Sequence, residues 1–197
     1  MITLPNDFLR GSYVPLVTPF RNEEVDYTAF GALVAHQVEH GSQGIVVAGT
    51  TGESFALTSE ERMRLLEVAV DIAKRRLVVV ASTGTDSLSE TLRLSEQAER
   101  VGANALLIVT PPYMKPPQRG IAEYYLRLGK STGLPFMINN NPGRTAVTLT
   151  VETVQRIAQG CPNLVGIDHA VAAISASSLS SSNALEATFA SSQASKR

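Results

Sequence analysis

Apolar residues do not spread evenly along this chain. They gather into six short, β-branched runs: YVPLV (13–17), GIVVA (44–48), LVVVA (77–81), ALLIV (105–109), PFMIN (135–139) and LVGI (164–167). Successive runs stand about thirty residues apart, the length of one strand plus one crossover helix. None alternates apolar with polar, so each reads as a strand covered on both faces.

Helical periodicity fills the intervals. A first helix is expected over about 26–40, closed by Gly41. The clearest runs from Thr58 to Arg75. Thr58 and Glu61, in TSEE, form a capping box, and Met63, Leu66, Val70 and Ala73 recur at three- and four-residue steps. Ser87 and Glu90 make a second box. Leu92, Ser95, Ala98 and Glu99 continue that helix, with Gly102 as its stop. Further helices are expected over about 118–130 and about 151–159, the latter capped by Thr150.

Alternating strands and helices at an even period predict an α/β fold with a parallel sheet and right-handed crossovers. A doubly wound sheet and a closed (β/α)8 barrel both fit. Even spacing and the lack of an early GxGxxG favour the TIM-barrel type, here incomplete. About six βα units are present, whereas a barrel has eight in typically ~250 residues. The expected organisation is a partial barrel over 1–169 and a Ser/Ala-rich tail over 170–197. More than half of that tail is Ser or Ala, which predicts disorder or weak helix. The abrupt change in composition also suggests a shifted reading frame.

Bulk properties narrow the classes. Net charge is −1 and the pI about 6.3, with no basic patch for nucleic acid and no polybasic segment for a membrane. The first residues lack the charged and apolar regions of a signal peptide. The single cysteine, Cys161, excludes an intrachain disulfide. A cytoplasmic protein is expected. Cys161 precedes Pro162 at a helix-to-strand junction and is a poor nucleophile candidate.

In such a fold, chemistry sits just after the strands. After the second comes GTTGES (49–54), where Thr50 and Thr51 offer hydroxyls beside backbone N–H groups, a seat for a small carboxylate. An ordinary glycine turn reads the same. After the fourth, TPPYMKPP (110–117) presents Tyr113 and Lys115 on a proline-stiffened loop, or is simply a rigid surface loop. After the fifth, NNNPGRT (139–145) makes a turn from which Arg144 can grip a carboxylate, or stand in solvent.

Together, from about Gly11 to about Ile167, these loops resemble the dihydrodipicolinate synthase and N-acetylneuraminate lyase family of class I aldolases. That family pairs a GTTGE loop with TPxYxxP-like and YNxPxRT loops. The resemblance implies a (β/α)8 barrel lyase of lysine biosynthesis, using an imine between a lysine and pyruvate and no metal or organic cofactor. It implies that Thr51 holds the carboxylate of pyruvate or a related 2-oxo acid and that Thr50 sits in a proton relay. Tyr113 would complete that relay in a neighbouring subunit of a homo-oligomer. Arg144, in NPGRT, points to the dihydrodipicolinate synthase branch, where it would orient L-aspartate semialdehyde.

Two positions depart from the pattern. The family's GIKEA-like motif reads Gly166-Ile167-Asp168-His169-Ala170, so Asp168 stands where the lysine would form the imine. A carboxylate has no amine for that step. It would also repel a pyruvate carboxylate, by roughly 4 kcal/mol at 4 Å and an effective dielectric of 20. The family's relay tyrosine corresponds to Asn139, whose amide cannot shuttle a proton as a phenol does. The bland expectation for Asp168 is a helix N-cap or a solvated loop carboxylate. No other lysine replaces the missing amine: Lys74 and Lys130 lie near helix ends, Lys115 on a loop and Lys196 in the tail.

His36 and His40 are four apart on the first helix but do not form HExxH and have no evident third ligand, so no metal is expected. His169 beside Asp168 can form a hydrogen-bonded pair, with no nucleophile in obvious relation to it. The expectation is a lyase by descent, inactive on its own. The alternatives are a non-catalytic subunit that binds carboxylates or pairs with an intact relative, and a disrupted copy of a 2-oxo-acid aldolase gene.

Overall fold

A computed structural model describes residues 9–170. Six parallel strands are hydrogen-bonded in chain order: β1 (Tyr13–Pro15), β4 (Gly44–Val47), β5 (Val78–Ser82), β6 (Ala105–Val109), β7 (Phe136–Asn140) and β8 (Leu164–His169). A doubly wound sheet reverses its strand order at a switch point, and this one never does, so the topology is that of the barrel type. Among the described residues, the ends of the order, β1 and β8, are edge strands. Pro15 suits an edge, since proline gives no N–H to a ladder. The 170–197 tail lies outside the described residues, apart from Ala170.

By its contacts the chain divides into two compact units. Among the described residues, one holds those up to Thr83 together with Arg93–Leu107; the other holds Gly84–Leu92 together with Ile108 to Ala170.

In the first unit, a two-stranded hairpin of β2 (Phe20–Arg21) and β3 (Glu24–Val25) leads into helix α1 (Tyr27–Glu39). Asn22 and Glu23 both have positive φ, as a tight hairpin turn requires. Asp26 is the N-cap of α1 rather than its first residue and accepts from Ala29 N–H at 2.9 Å. Every residue of β4 is buried. Gly44 is obligatory there: a Cβ would stand 2.5 Å from the Tyr13 ring and 2.7 Å from the Val78 carbonyl. Helix α2 (Ser59–Ala73) starts on the expected capping box, with Thr58 and Glu61 bonding each other's backbone N–H.

Its buried face is not the expected one. Arg62, Leu65, Leu66, Ala69 and Ala73 are buried, while Met63 and Val70 are half-buried. The stripe is displaced because Arg62 turns inward and donates from Nη2 to the Ser82 carbonyl at 2.7 Å. Helix α3 (Leu88–Val101) differs similarly. Thr91, Leu94, Ser95 and Ala98 are buried, whereas Glu99 is exposed. Gly102, at φ +102°, ends it in a Schellman turn, with Ala103 N–H on the Ala98 carbonyl at 3.0 Å. The second expected box lies over Ser87 and Glu90. Ser87 Oγ accepts from Glu90 N–H at 3.4 Å, while Ser87 N–H donates to Thr85 Oγ1 at 3.1 Å.

In the second unit, α4 (Gln118–Ser131) packs against α6 (Val151–Gly160), whose N-cap is Thr150. The two backbones approach closely: a Cβ on Gly129 would lie 2.9 Å from Cys161 Cβ, and one on Gly160 would strike Leu126. Gln118 clasps the start of α6, accepting from Thr150 N–H and Thr153 Oγ1 and donating to the Thr148 carbonyl. Between β7 and β8 the ladder carries a bulge. Phe136 pairs with Leu164 and Met137 with Gly166, which leaves Val165 as an extra residue. The sixth strand therefore runs two residues longer than its apolar run, through Asp168 and His169.

Candidate functional site

Consider first the loop after β4. Ala48 has φ +52°, and the chain then folds tightly over GTTGES: Glu53 N–H donates to the Thr50 carbonyl and Ser54 N–H to the Gly49 carbonyl. Gly52 has no room for a side chain, since a Cβ would stand 2.9 Å from the Leu16 carbonyl. Its own carbonyl accepts from Thr18 Oγ1 at 2.7 Å, which pins the loop to the segment after β1. Thr50 and Thr51 are exposed at the tip, and among the described residues nothing hydrogen-bonds to either hydroxyl. Both hydroxyls therefore face solvent. A short 3-10 turn, Ser54–Ala56, follows and leaves Phe55 exposed.

The remaining predicted residues belong to the second unit. After β6, Met114 N–H bonds the Pro112 carbonyl at 2.7 Å around Tyr113, whose φ is +68°. This is a γ-turn, a strained conformation. It holds Tyr113 at 92% exposure with Met114 beside it; Lys115, also at positive φ, is exposed as well. Tyr113, Met114 and Lys115 thus all face outward. Below it the chain is anchored by Tyr125. This fully buried phenol donates to the Ile108 carbonyl at 2.9 Å and so accepts from Thr110 Oγ1 at 3.2 Å.

After β7, the residues expected to form a turn make instead a single helical turn, α5 (Pro142–Thr145). Pro142 is pre-set for the first helical position, and Thr145 is tied back to the Asn141 carbonyl. Arg144 is exposed on this turn.

The ends of β7 and β8 carry the two departures side by side. Asn139 and Asp168 are register partners, as are Asn140 and His169. Neighbouring residues alternate faces, so the two pairs point to opposite sides of the sheet. Asp168 is therefore neither a helix cap nor a loop carboxylate; it is a strand residue beside Asn139. Its side chain is exposed on one side, partial desolvation pushes its carboxyl above the usual range, and His169 pulls it back. Asn139 is 8% exposed, and its Oδ1 is buried without a hydrogen-bond partner among the described residues. Asp168 and His169 do not bond each other. His169 Nδ1 lies 2.7 Å from Asn140 Nδ2. Asn140 Oδ1 is occupied by Leu149 N–H, so the amide nitrogen faces the ring and Nδ1 accepts. Sequence reasoning overlooked Asn140. Its signal was the second of two successive asparagines at a strand end, one for each face. No hydrogen bond among the described residues joins Tyr113 or Arg144 to Asn139 or Asp168.

Elsewhere, His36 and His40 stack at 3.9 Å between ring centroids, and His40 Nδ1 lies on the His36 carbonyl. That geometry does not aim two ring nitrogens at a common point. Among the described residues no three His, Cys, Asp or Glu side chains cluster as metal ligands, and no helix is long and apolar enough to cross a membrane. Cys161 is buried with its thiol pushed up by desolvation, and donates to the Tyr125 carbonyl at 3.5 Å.

The sequence model of the Dihydrodipicolinate synthetase family matches residues 8–186. This chain belongs to that family. The match continues past Ile167 and well into the Ser/Ala-rich stretch. The 4-hydroxy-tetrahydrodipicolinate synthase of Chelativorans sp. (strain BNC1) is 46% identical over 164 residues, 83% of this chain and 56% of that protein. The crystal structure of dihydrodipicolinate synthase from Aquifex aeolicus superposes with a TM-score of 0.81 at 40% identity, covering 83% of this chain and 56% of that one. The chloride-inhibited enzyme from Acinetobacter baumannii, complexed with pyruvate, gives a TM-score of 0.79 at 38% identity, covering 82% and 55%. This member of the dihydrodipicolinate synthetase family spans a little over half the length of the curated relatives it matches.

Proposed function

We propose that this chain keeps the family's seat for a 2-oxo acid and lacks the chemistry that would turn it over. Thr51, assisted by Thr50, receives the carboxylate of pyruvate or a close relative. Arg144 is the group for the carboxylate of an aldehyde substrate such as L-aspartate semialdehyde. Tyr113 is offered outward to a neighbouring subunit. The observation that carries this reading is the identity of the residue on β8. Position 168 presents a carboxylate where the resemblance expects a lysine amine, directly beside an asparagine where it expects a tyrosine. Imine formation needs an amine lone pair, and a phenol passes protons in a way an amide does not. Pyruvate would then bind without becoming an enamine.

Borohydride reduction in the presence of pyruvate tests the proposal. The intact mass of the purified chain should not change. A stable pyruvate-derived adduct would show that some amine of this chain does the work, and would overturn it.

The exposed, strained Tyr113 supports a second reading, in which the chain acts as an interaction subunit for an intact relative. Co-expression with a full-length family member should then give a mixed oligomer. Sedimentation of each as a separate species would reject that reading.

A further inference from the structure

The pair Asn139–Asp168 is built for hydrogen-bond donors, and among the described residues it has none. Both side chains project to one face from adjacent strands in direct register. Side chains so placed have Cβ atoms about 5 Å apart. Asn139 contributes a carbonyl oxygen that is buried and without a partner. A buried acceptor left unsatisfied is costly, so it demands a partner. Asp168 contributes a carboxylate that no donor among the described residues reaches. The imidazole next in sequence donates no hydrogen bond to it. His169 points to the other face, where Asn140 engages its Nδ1. Asp168 is open to solvent while Asn139 is not, so a small ligand can enter from the carboxylate side and reach the amide oxygen behind it.

We propose that Asn139 and Asp168 form a binding site for a primary ammonium group, the amine end of a small amino compound. The carboxylate supplies charge and the amide oxygen a second acceptor. An –NH3+ group has three donors and can satisfy both oxygens at once. A quaternary ammonium carries the same charge without a donor and cannot.

The test of this site uses no 2-oxo acid. The probe is ethylammonium chloride, titrated into the full chain and followed by NMR at the Asn139 side-chain amide and the Asp168 carboxyl carbon. Saturable shifts at both positions are expected, with tetramethylammonium and sodium chlorides giving none at equal ionic strength. Asp168→Asn should weaken binding about tenfold, the value of one charge-assisted hydrogen bond. Asn139→Leu, which fills the same space without an oxygen, should weaken it by several-fold while Asp168 still responds. Equal shifts with tetramethylammonium would reduce the effect to unspecific charge screening and overturn the proposal. So would no response up to about 0.1 M, a level that saturates a millimolar site. Neither failure would bear on whether pyruvate can be trapped.

Discussion

Tyr124 shows how a single buried hydroxyl ties this fold to pH. Its phenol donates to Thr91 Oγ1 at 3.0 Å, and burial pushes its pKa up to about 12. The folded protein thus resists ionising a group that the unfolded chain ionises near pH 10. With the folded value above the unfolded one, the stabilisation is complete below pH 10 and fades as pH rises toward 12. The shift is equivalent to about 3 kcal/mol. Tyr125, buried beside it and also shifted upward, acts in the same direction. Tyr124→Phe should therefore be less stable than the parent at neutral pH by about 1 kcal/mol, for the lost hydrogen bond. The deficit should shrink or reverse above pH 10, as measured by urea unfolding across that range. A constant deficit would show that the phenol does not ionise on unfolding. The same scale governs Asp168, where one side chain determines whether an amine stands at the strand end. Asp168→Lys should create a borohydride-trappable pyruvate adduct where the parent has none, read by intact mass.

Helices and strands were the most legible part of the sequence, because repeating apolar positions and capping residues are local signals. Thr58, Thr150 and Gly102 mark helix ends where the sequence put them. Less legible was which face a helix buries. Arg62 counts as polar in any periodicity, yet it is buried against the Ser82 carbonyl, a partner twenty positions away. Legibility failed again at the end of β8, since ladder pairing with β7 carries Asp168 and His169 into a strand that hydropathy would end at Ile167. The three loop motifs were readable as motifs, but the orphaned Asn139 oxygen and the Asn140–His169 bond depend on register, which no local pattern encodes. Close helix packing makes a prediction at this scale. Gly129→Ala would push a methyl into Cys161, and Cys161 sits on the C-terminal end of α6. It should cost about 1–3 kcal/mol in urea unfolding, and Cys161→Ala in the same chain should recover part of the loss. A Gly129→Ala chain as stable as its parent would mean that the helices part without cost.

For the molecule as a whole, stability should be graded along the strand order. The residues of β4 are buried throughout, whereas β8 passes from a buried Leu164 to exposed Asp168 and His169 and, among the described residues, has a partner on one side alone. Hydrogen exchange should find the β4 and β5 amides among the slowest and those of Ile167 to His169 the fastest of any strand in the six-stranded sheet. Uniform protection across the strands would contradict this. Family membership and the barrel-type topology rest on the whole pattern and tolerate the loss of any one residue. The site's chemistry rests on single positions and does not. The order of strands along the sheet is also the order of synthesis. Each newly made strand meets a neighbour already in place, so the sheet can be laid down row by row as the chain leaves the ribosome. The row bearing Asp168 is the last of the six to be laid, and none of the earlier ladders waits for it. A change of residue in that row leaves every preceding row to assemble as before, so architecture and reactive group can vary separately.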